Sequence, residues 1–263
     1  MAARRRWNRG ELLIVLNLYH KLRFGQFDQR QPVIIDMAKR MDRTPSSVAM
    51  KLSNFASLDP ALKLRGIKGL EGASALDEEM WNEFHQNPAD NIPLSQTKFD
   101  ALFVQAEGET TEVIPGNGIR AVKRPPAGDT EVKTVTKQRR GQDYFRDVVL
   151  NNFGGCCGVT GMPVRELLVA SHILPWSSHE AERLNVRNGI CLNRLHDAAF
   201  DQHLISFDDE FRLVLSKRLK SVLPNEAVRN QFDAFEGNIL RLPDDGTLPD
   251  PGFLKIHRGK LAC

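Results

Sequence analysis

Long apolar runs are missing from this chain. Its hydrophobic residues make up 41% of 263 positions, yet no stretch approaches membrane-spanning length, which argues against a transmembrane helix. The start, Met1 to Arg9, is basic and has no apolar segment of the secretory kind, so a cytoplasmic protein is expected. Cysteine is sparse, at four residues: Cys156, Cys157, Cys191 and Cys263. Cys156 and Cys157 are adjacent rather than spaced C-x-x-C, and no second pair exists, so neither a structural zinc site nor a disulfide framework is expected. Internal repeats are absent.

Charge is present in abundance and is unevenly placed. The net charge of +3 conceals a balance of +9 over residues 1–68, −9 over 69–113 and +3 over the remainder. A basic N-terminal block fits contact with a polyanion, because Lys and Arg at phosphates supply most non-specific affinity. A solvated charged surface would carry the same residues, so charge alone does not decide.

Helical periodicity runs from Glu11 to Leu22 through Leu12, Val15, Leu16 and Tyr19. A second helix is expected from Pro32, with Val33, Ile34, Met37, Ala38 and Met41 inward, and a third after Thr44 as cap and Pro45 as first-turn residue. Val48, Leu52 and Phe55 form the buried stripe of the third. Together these helices read as a helix-turn-helix unit. Arg43, Ser46, Ser47, Lys51 and Asn54 then become candidate DNA contacts, since Asn pairs with adenine and Lys with guanine or phosphate in a major groove. A trihelical scaffold that only packs is the alternative. Leu58 to Gly72 reads as an irregular arm, and Asp77 to His85 as a short acidic helix carrying Trp81 and Phe84. Residues 105–136, rich in Gly, Pro, Thr and Glu, read as a linker between a helical domain (1–104) and a second domain (137–263). That domain opens with a helix from Gln138 to Phe153.

The second domain holds the residues that point to chemistry. Leu167 to Ile173 is a strand pattern stopped by Pro175, Gly189 to Leu192 a second short strand, and Arg194 to Gln202 a helix. His172 falls near the end of the first strand and Asn188 at the start of the second. Asp197 and Asp201 are i and i+4, hence on one helix face. A positioned imidazole is a suitable base for making water nucleophilic, and two carboxylates suit a hard divalent cation. Each residue has a bland reading by itself: a structural histidine, a turn dipeptide, a solvated helix face. Their joint order and spacing is the informative feature. Arg183 and Arg187, in the intervening loop, would clamp a phosphate or simply be exposed. His20, His85, His179, His203 and His257 have no partner identifiable from sequence. Leu204–Phe207 and Phe211–Leu215 read as a hairpin, and the tail from Pro224 suggests no role.

The segment from Gln138 to Ser216 resembles the HNH endonuclease superfamily. The resemblance rests on Ser171-His172-Ile173-Leu174-Pro175-Trp176, Asn188-Gly189 and Phe200-Asp201, with Arg140-Gly141-Gln142, Phe145-Arg146 and Cys157 to Gly161 before them. It implies an α+β chain whose C-terminal part is a ββα-metal domain. It makes His172 the general base and Asn188 the residue that fixes it. In the colicin-type nucleases and homing enzymes the third motif letter falls nine residues after that Asn, which here is Asp197. Asp197 and Asp201 would then hold Mg²⁺ or Mn²⁺. A literal His-Asn-His pattern would use His196 instead and favour Ni²⁺ or Zn²⁺. Many relatives have Asp or His directly before the base, where this chain has Ser171, a poor ligand. The expected activity is metal-dependent hydrolysis of double-stranded DNA, of restriction type with modification dependence left open, in prokaryotic or phage defence. A homodimer is expected for double-strand cleavage, at a nucleoid-associated location. A nicking or homing enzyme of a mobile element, and a regulator with an inactive HNH-like domain, are the competing readings.

Overall fold

A computed structural model of the chain describes residues 5–70, 72–104, 106, 109–123 and 132–262, with the backbone alone for 132–137 and 139. The chain divides into two units, Met1–Asp147 and Val148–Cys263.

The first unit is built on α1 (Arg9–Lys21), α2 (Pro32–Arg40) and α3 (Pro45–Leu58). Asn8 opens α1 with a capping box: its side chain accepts from Glu11 N at 3.0 Å, and the Glu11 carboxylate accepts from Asn8 N. Thr44 caps α3 through Ser47 N, with Pro45 at the first helical position, as expected. Val48, Leu52 and Phe55 have no exposed surface and form the stripe that packs on α1 and α2. The arm after Leu58 is more regular than its sequence implied. Asp59 caps a short α4 (Pro60–Leu64) by accepting from Ala61 N. Next come α5 (Ala75–Gln86) and α6 (Pro88–Phe103), both against α1. Trp81 and Phe84 are buried, as their spacing on an amphipathic helix requires.

Composition marked 105–136 as a linker. Residues 105, 107, 108 and 124–131 of that span lie outside the described residues, but between them stand two antiparallel strands, β1 (Glu109–Ile114) and β2 (Gly118–Lys123). Two carboxylates from the helices accept their backbone N–H groups: Asp100 from Thr111 and Asp36 from Ile119, each at 3.0 Å. Gly116 and Gly118, at φ 87° and 102°, allow the tight turn between them. Gly and Thr here specify a hairpin rather than a tether. Helix α7 (Val132–Asn152) follows, and its Asp147 closes the first unit. Lys21 Nζ meets the Asp147 carboxylate at 3.0 Å and Gln96 Oε1 at 2.8 Å, with both charged side chains fully buried.

The second unit begins within α7 and continues through β3 (Leu168–His172), β4 (Gly189–Asn193) and α8 (Arg194–Asp201). β3 and β4 are antiparallel, with His172 opposite Gly189, and α8 packs on both. β5 (Ile205–Phe207) and β6 (Leu213–Leu215) form the expected hairpin. Short helices α9 (Lys217–Lys220) and α10 (Glu226–Gln231) lead to α11 (Pro251–Arg258), which lies against β5. The chain is thus α+β, with a strand, strand and helix at the heart of its C-terminal unit.

Candidate active site

His172 ends β3, and the residue that holds the following loop is Asn188. Its side chain is 1% exposed. Oδ1 accepts from Leu174 N at 2.8 Å, while Nδ2 donates to Leu174 O at 3.2 Å and Glu182 O at 3.1 Å. The start of the loop 174–187 and its interior at Glu182 are therefore tied to one buried amide. That loop in turn delivers the Arg183 carbonyl to within 2.9 Å of His172 Nε2. A carbonyl only accepts, so Nε2 carries a proton, and the neutral ring has its lone pair on Nδ1. Burial lowers the His172 pKa, partly offset by that carbonyl, so the ring is neutral at pH 7.

Asp197 and Asp201 stand with His172 on one cavity of about 400 Å³, whose lining includes Ser171 and Trp176. Asp197 is half-buried and Asp201 exposed. Burial raises the Asp197 pKa, against the pull of Ser171 and Arg194. Burial and then the neighbouring Asp197 charge raise that of Asp201. Two carboxylates that repel each other, with no ion pair to either among the described residues, are a donor set suited to a hard divalent cation. No cluster of three or more His, Cys, Asp or Glu stands ready for a metal among the described residues. Such an ion would therefore take most of its coordination from water and substrate oxygens. The hydroxyl of Ser171, a residue 3% exposed, has no hydrogen-bond partner of good geometry among the described residues, yet it is near enough to Asp197 to lower that carboxyl's pKa.

His196 is placed otherwise. It is fully buried, with Nδ1 2.9 Å from Asn193 Oδ1 and Nε2 2.9 Å from Gln231 O. Both ring nitrogens are committed to protein oxygens and the ring is not on the cavity, so the Ni²⁺ or Zn²⁺ alternative loses its imidazole. The loop arginines also hold protein rather than line the cavity. Arg183 donates to Trp176 O at 2.8 Å and pairs with Glu180, and Arg187 pairs with Asp250 at 3.1 Å.

The N-terminal DNA-contact candidates are not gathered on one open face. Arg43 pairs with Glu11 at 2.7 Å and donates to the backbone of Arg5 and Arg6. Lys51 is 7% exposed and donates to both Asp77 oxygens, at 2.9 and 2.8 Å; Asn54, also 7% exposed, donates to Gly72 O. The segment from Gly72 into α5 covers the α3 face that carries them. Ser46 stays exposed and Ser47 half-buried.

Sequence reasoning missed His203 and His257, which share the cavity with His172 and both carboxylates. His203 stands two residues after Asp201, a closeness the sequence did offer, whereas nothing in its spacing identifies His257, because α11 is brought to the site by tertiary packing on β5.

Residues 157–208 match the family described as HNH endonuclease. The match spans β3, β4, α8 and the first strand of the hairpin, and places this segment in the HNH superfamily, a nuclease class. No curated protein shows significant similarity to the chain.

Proposed function

We propose that the chain is a metal-dependent DNA endonuclease. The observation that carries this reading is His172, held as the Nε2–H tautomer on the same cavity as Asp197 and Asp201. His172 Nδ1 takes the proton from the attacking water. Asn188 holds the loop whose carbonyl fixes that ring. Asp197 and Asp201 hold Mg²⁺ or Mn²⁺, which when bound supplies charge stabilisation at the phosphate and the leaving 3′ oxygen.

The substrate is double-stranded DNA, and the role is a restriction-type one in prokaryotic or phage defence, in the cytoplasm with the nucleoid. No described helix is long and apolar enough to cross a membrane. Residues 137–263 act as the nuclease domain and residues 1–104 as the DNA-docking part, with Ser46 and Ser47 left as contacts on α3. One site cuts one strand, so double-strand cleavage calls for a homodimer. The test is digestion of supercoiled plasmid, modified and unmodified, with Mg²⁺ or Mn²⁺. Cleavage that stops with EDTA and is lost in His172→Ala supports the reading. Metal-independent cleavage, or full activity in His172→Ala, overturns it, and nicked circles alone favour a single-strand enzyme.

A further inference from the structure

Beside the proposed base and carboxylates, the cavity wall carries a histidine whose backbone and ring are both fixed in an unusual way. His203 follows α8 at φ 52°, the left-handed region that favours glycine. Its N–H donates to Phe200 O at 2.9 Å, and its carbonyl accepts from Ala262 N at 2.9 Å, so the chain's last described residues clasp it. A non-glycine residue held there, on a cavity, is the kind of local cost that persists where a side chain is needed.

The ring is set by a relay. His257, on α11, is 3% exposed and stacks on Phe200 with centroids 3.7 Å apart. Its Nε2 is 3.1 Å from Phe200 O, its Nδ1 is 2.9 Å from Ser206 Oγ, and its Nε2 is also 3.1 Å from His203 Nδ1. The Phe200 carbonyl only accepts, so His257 carries its proton on Nε2, and Nδ1 accepts from the Ser206 hydroxyl. The shared Nε2–H then points at His203 Nδ1, which must accept. Neutral His203 therefore has its proton on Nε2. With Nδ1 occupied and Nε2 protonated, His203 has no lone pair for a metal; it has an N–H to give.

We infer that His203 is a further catalytic residue, donating its Nε2–H to a non-bridging oxygen of the scissile phosphate, with His257 and Ser206 as positioning residues that fix its tautomer. The inference rests on the endonuclease reading. It gives the C-terminal helix, which lies outside the matched family segment, a place in the site. The other cavity groups suit such a donor: an uncharged N–H adds no competing charge beside Asp197 and Asp201, whereas an imidazolium would bind the carboxylates themselves.

The decisive variant is His203→Gly, which removes the ring and suits the left-handed backbone, so the fold is retained. Three quantities are measured on full-length wild type, His203→Gly, His203→Asn and His172→Ala. They are plasmid cleavage with Mg²⁺, Mn²⁺ affinity without DNA, and anisotropy of a labelled short duplex with Ca²⁺. His203→Gly is expected to cut about a hundredfold to a thousandfold more slowly, the usual loss for one transition-state donor, with Mn²⁺ affinity unchanged. Asn tolerates the same backbone and returns a shorter N–H donor, so His203→Asn falls between. Wild-type rates in His203→Gly overturn the inference while leaving the endonuclease reading intact; a loss of Mn²⁺ affinity makes His203 a ligand and overturns it too. If the wild type cuts nothing, the endonuclease reading fails and the duplex titration decides. Weakening of about threefold or more in His203→Gly keeps the phosphate contact, and equal affinity overturns it.

Discussion

Asn188 grips Leu174 by both its backbone groups, accepting its N–H at 2.8 Å and donating to its carbonyl at 3.2 Å. The same amide reaches Glu182 O, one residue before the carbonyl that holds His172. The base is thus oriented through a loop rather than by direct contact.

Replacing Asn188 tests that indirect control. In Asn188→Asp the donors to Leu174 O and Glu182 O are lost, and a carboxylate is set against two carbonyls. Stability falls by about 1–3 kcal/mol for the unsatisfied buried groups, and cleavage falls further than stability explains. The check is urea unfolding beside cleavage at a temperature where the variant is fully folded. Wild-type activity in a folded Asn188→Asp protein would remove Asn188 from the mechanism.

Asp197 and Asp201 are expected to cost the metal-free fold stability. Both carboxyl pKa values lie above their ordinary range in the folded state, so near pH 7 the unfolded chain is the better place for both charges. The sign follows: their stability penalty is present above the folded pKa values and disappears as pH falls through the ordinary carboxylate range. Asp201→Asn therefore melts higher than wild type without metal at pH 7. Mn²⁺ raises the wild-type melting temperature and raises that of Asp201→Asn much less. Calorimetric melts with and without Mn²⁺ read both effects, and an equal Mn²⁺ shift in the variant would take Asp201 out of the ligand set.

Legibility in the sequence tracked how local the signal was. β3, β4 and α8 were readable because an apolar run ended by Pro175, an Asn-Gly dipeptide and an i, i+4 acid pair are all short-range patterns. The hairpin Glu109–Lys123 was not, because one of its N–H partners, Asp36, comes from a helix far back in the chain. His257 was hidden for the same reason. Lys51 and Asn54 fell outside the apolar stripe of α3 and so read as outward-facing. A helical wheel cannot register that α5 closes over that face with a carboxylate placed for Lys51.

Lys51 provides the corresponding test. It is bound to Asp77, whose side chain is fully buried, so removing the cation strands a charge. Lys51→Ala is expected to lose about 3–5 kcal/mol of stability, whereas the apolar pair Lys51→Met with Asp77→Leu stays much closer to wild type. Asp77 also caps α5 through Ser74 N, so some loss persists in the pair. DNA affinity of the folded double variant, and its salt dependence, match wild type if Lys51 never meets phosphate. A salt slope reduced by about one would return Lys51 to the DNA interface.

The N-terminal unit carries its own acid sensitivity in His20. The ring is packed between aromatic neighbours, stacked on Phe84 and edge-on to Tyr19, and its Nε2 is buried with no hydrogen-bond partner among the described residues. Burial, with a smaller contribution from His85, pushes its pKa down to about 3. Between that value and the ordinary 6.5, the unfolded chain binds a proton that the folded chain refuses. The stability that neutral His20 permits is whole above pH 6.5 and is lost as pH falls toward 3, at up to about 1.4 kcal/mol per pH unit. His20→Phe keeps the ring stack and deletes the proton site. Its urea midpoint should therefore fall less steeply than that of wild type from pH 7 to pH 4. Parallel pH dependence in the two proteins would show that His20 is not the group responsible.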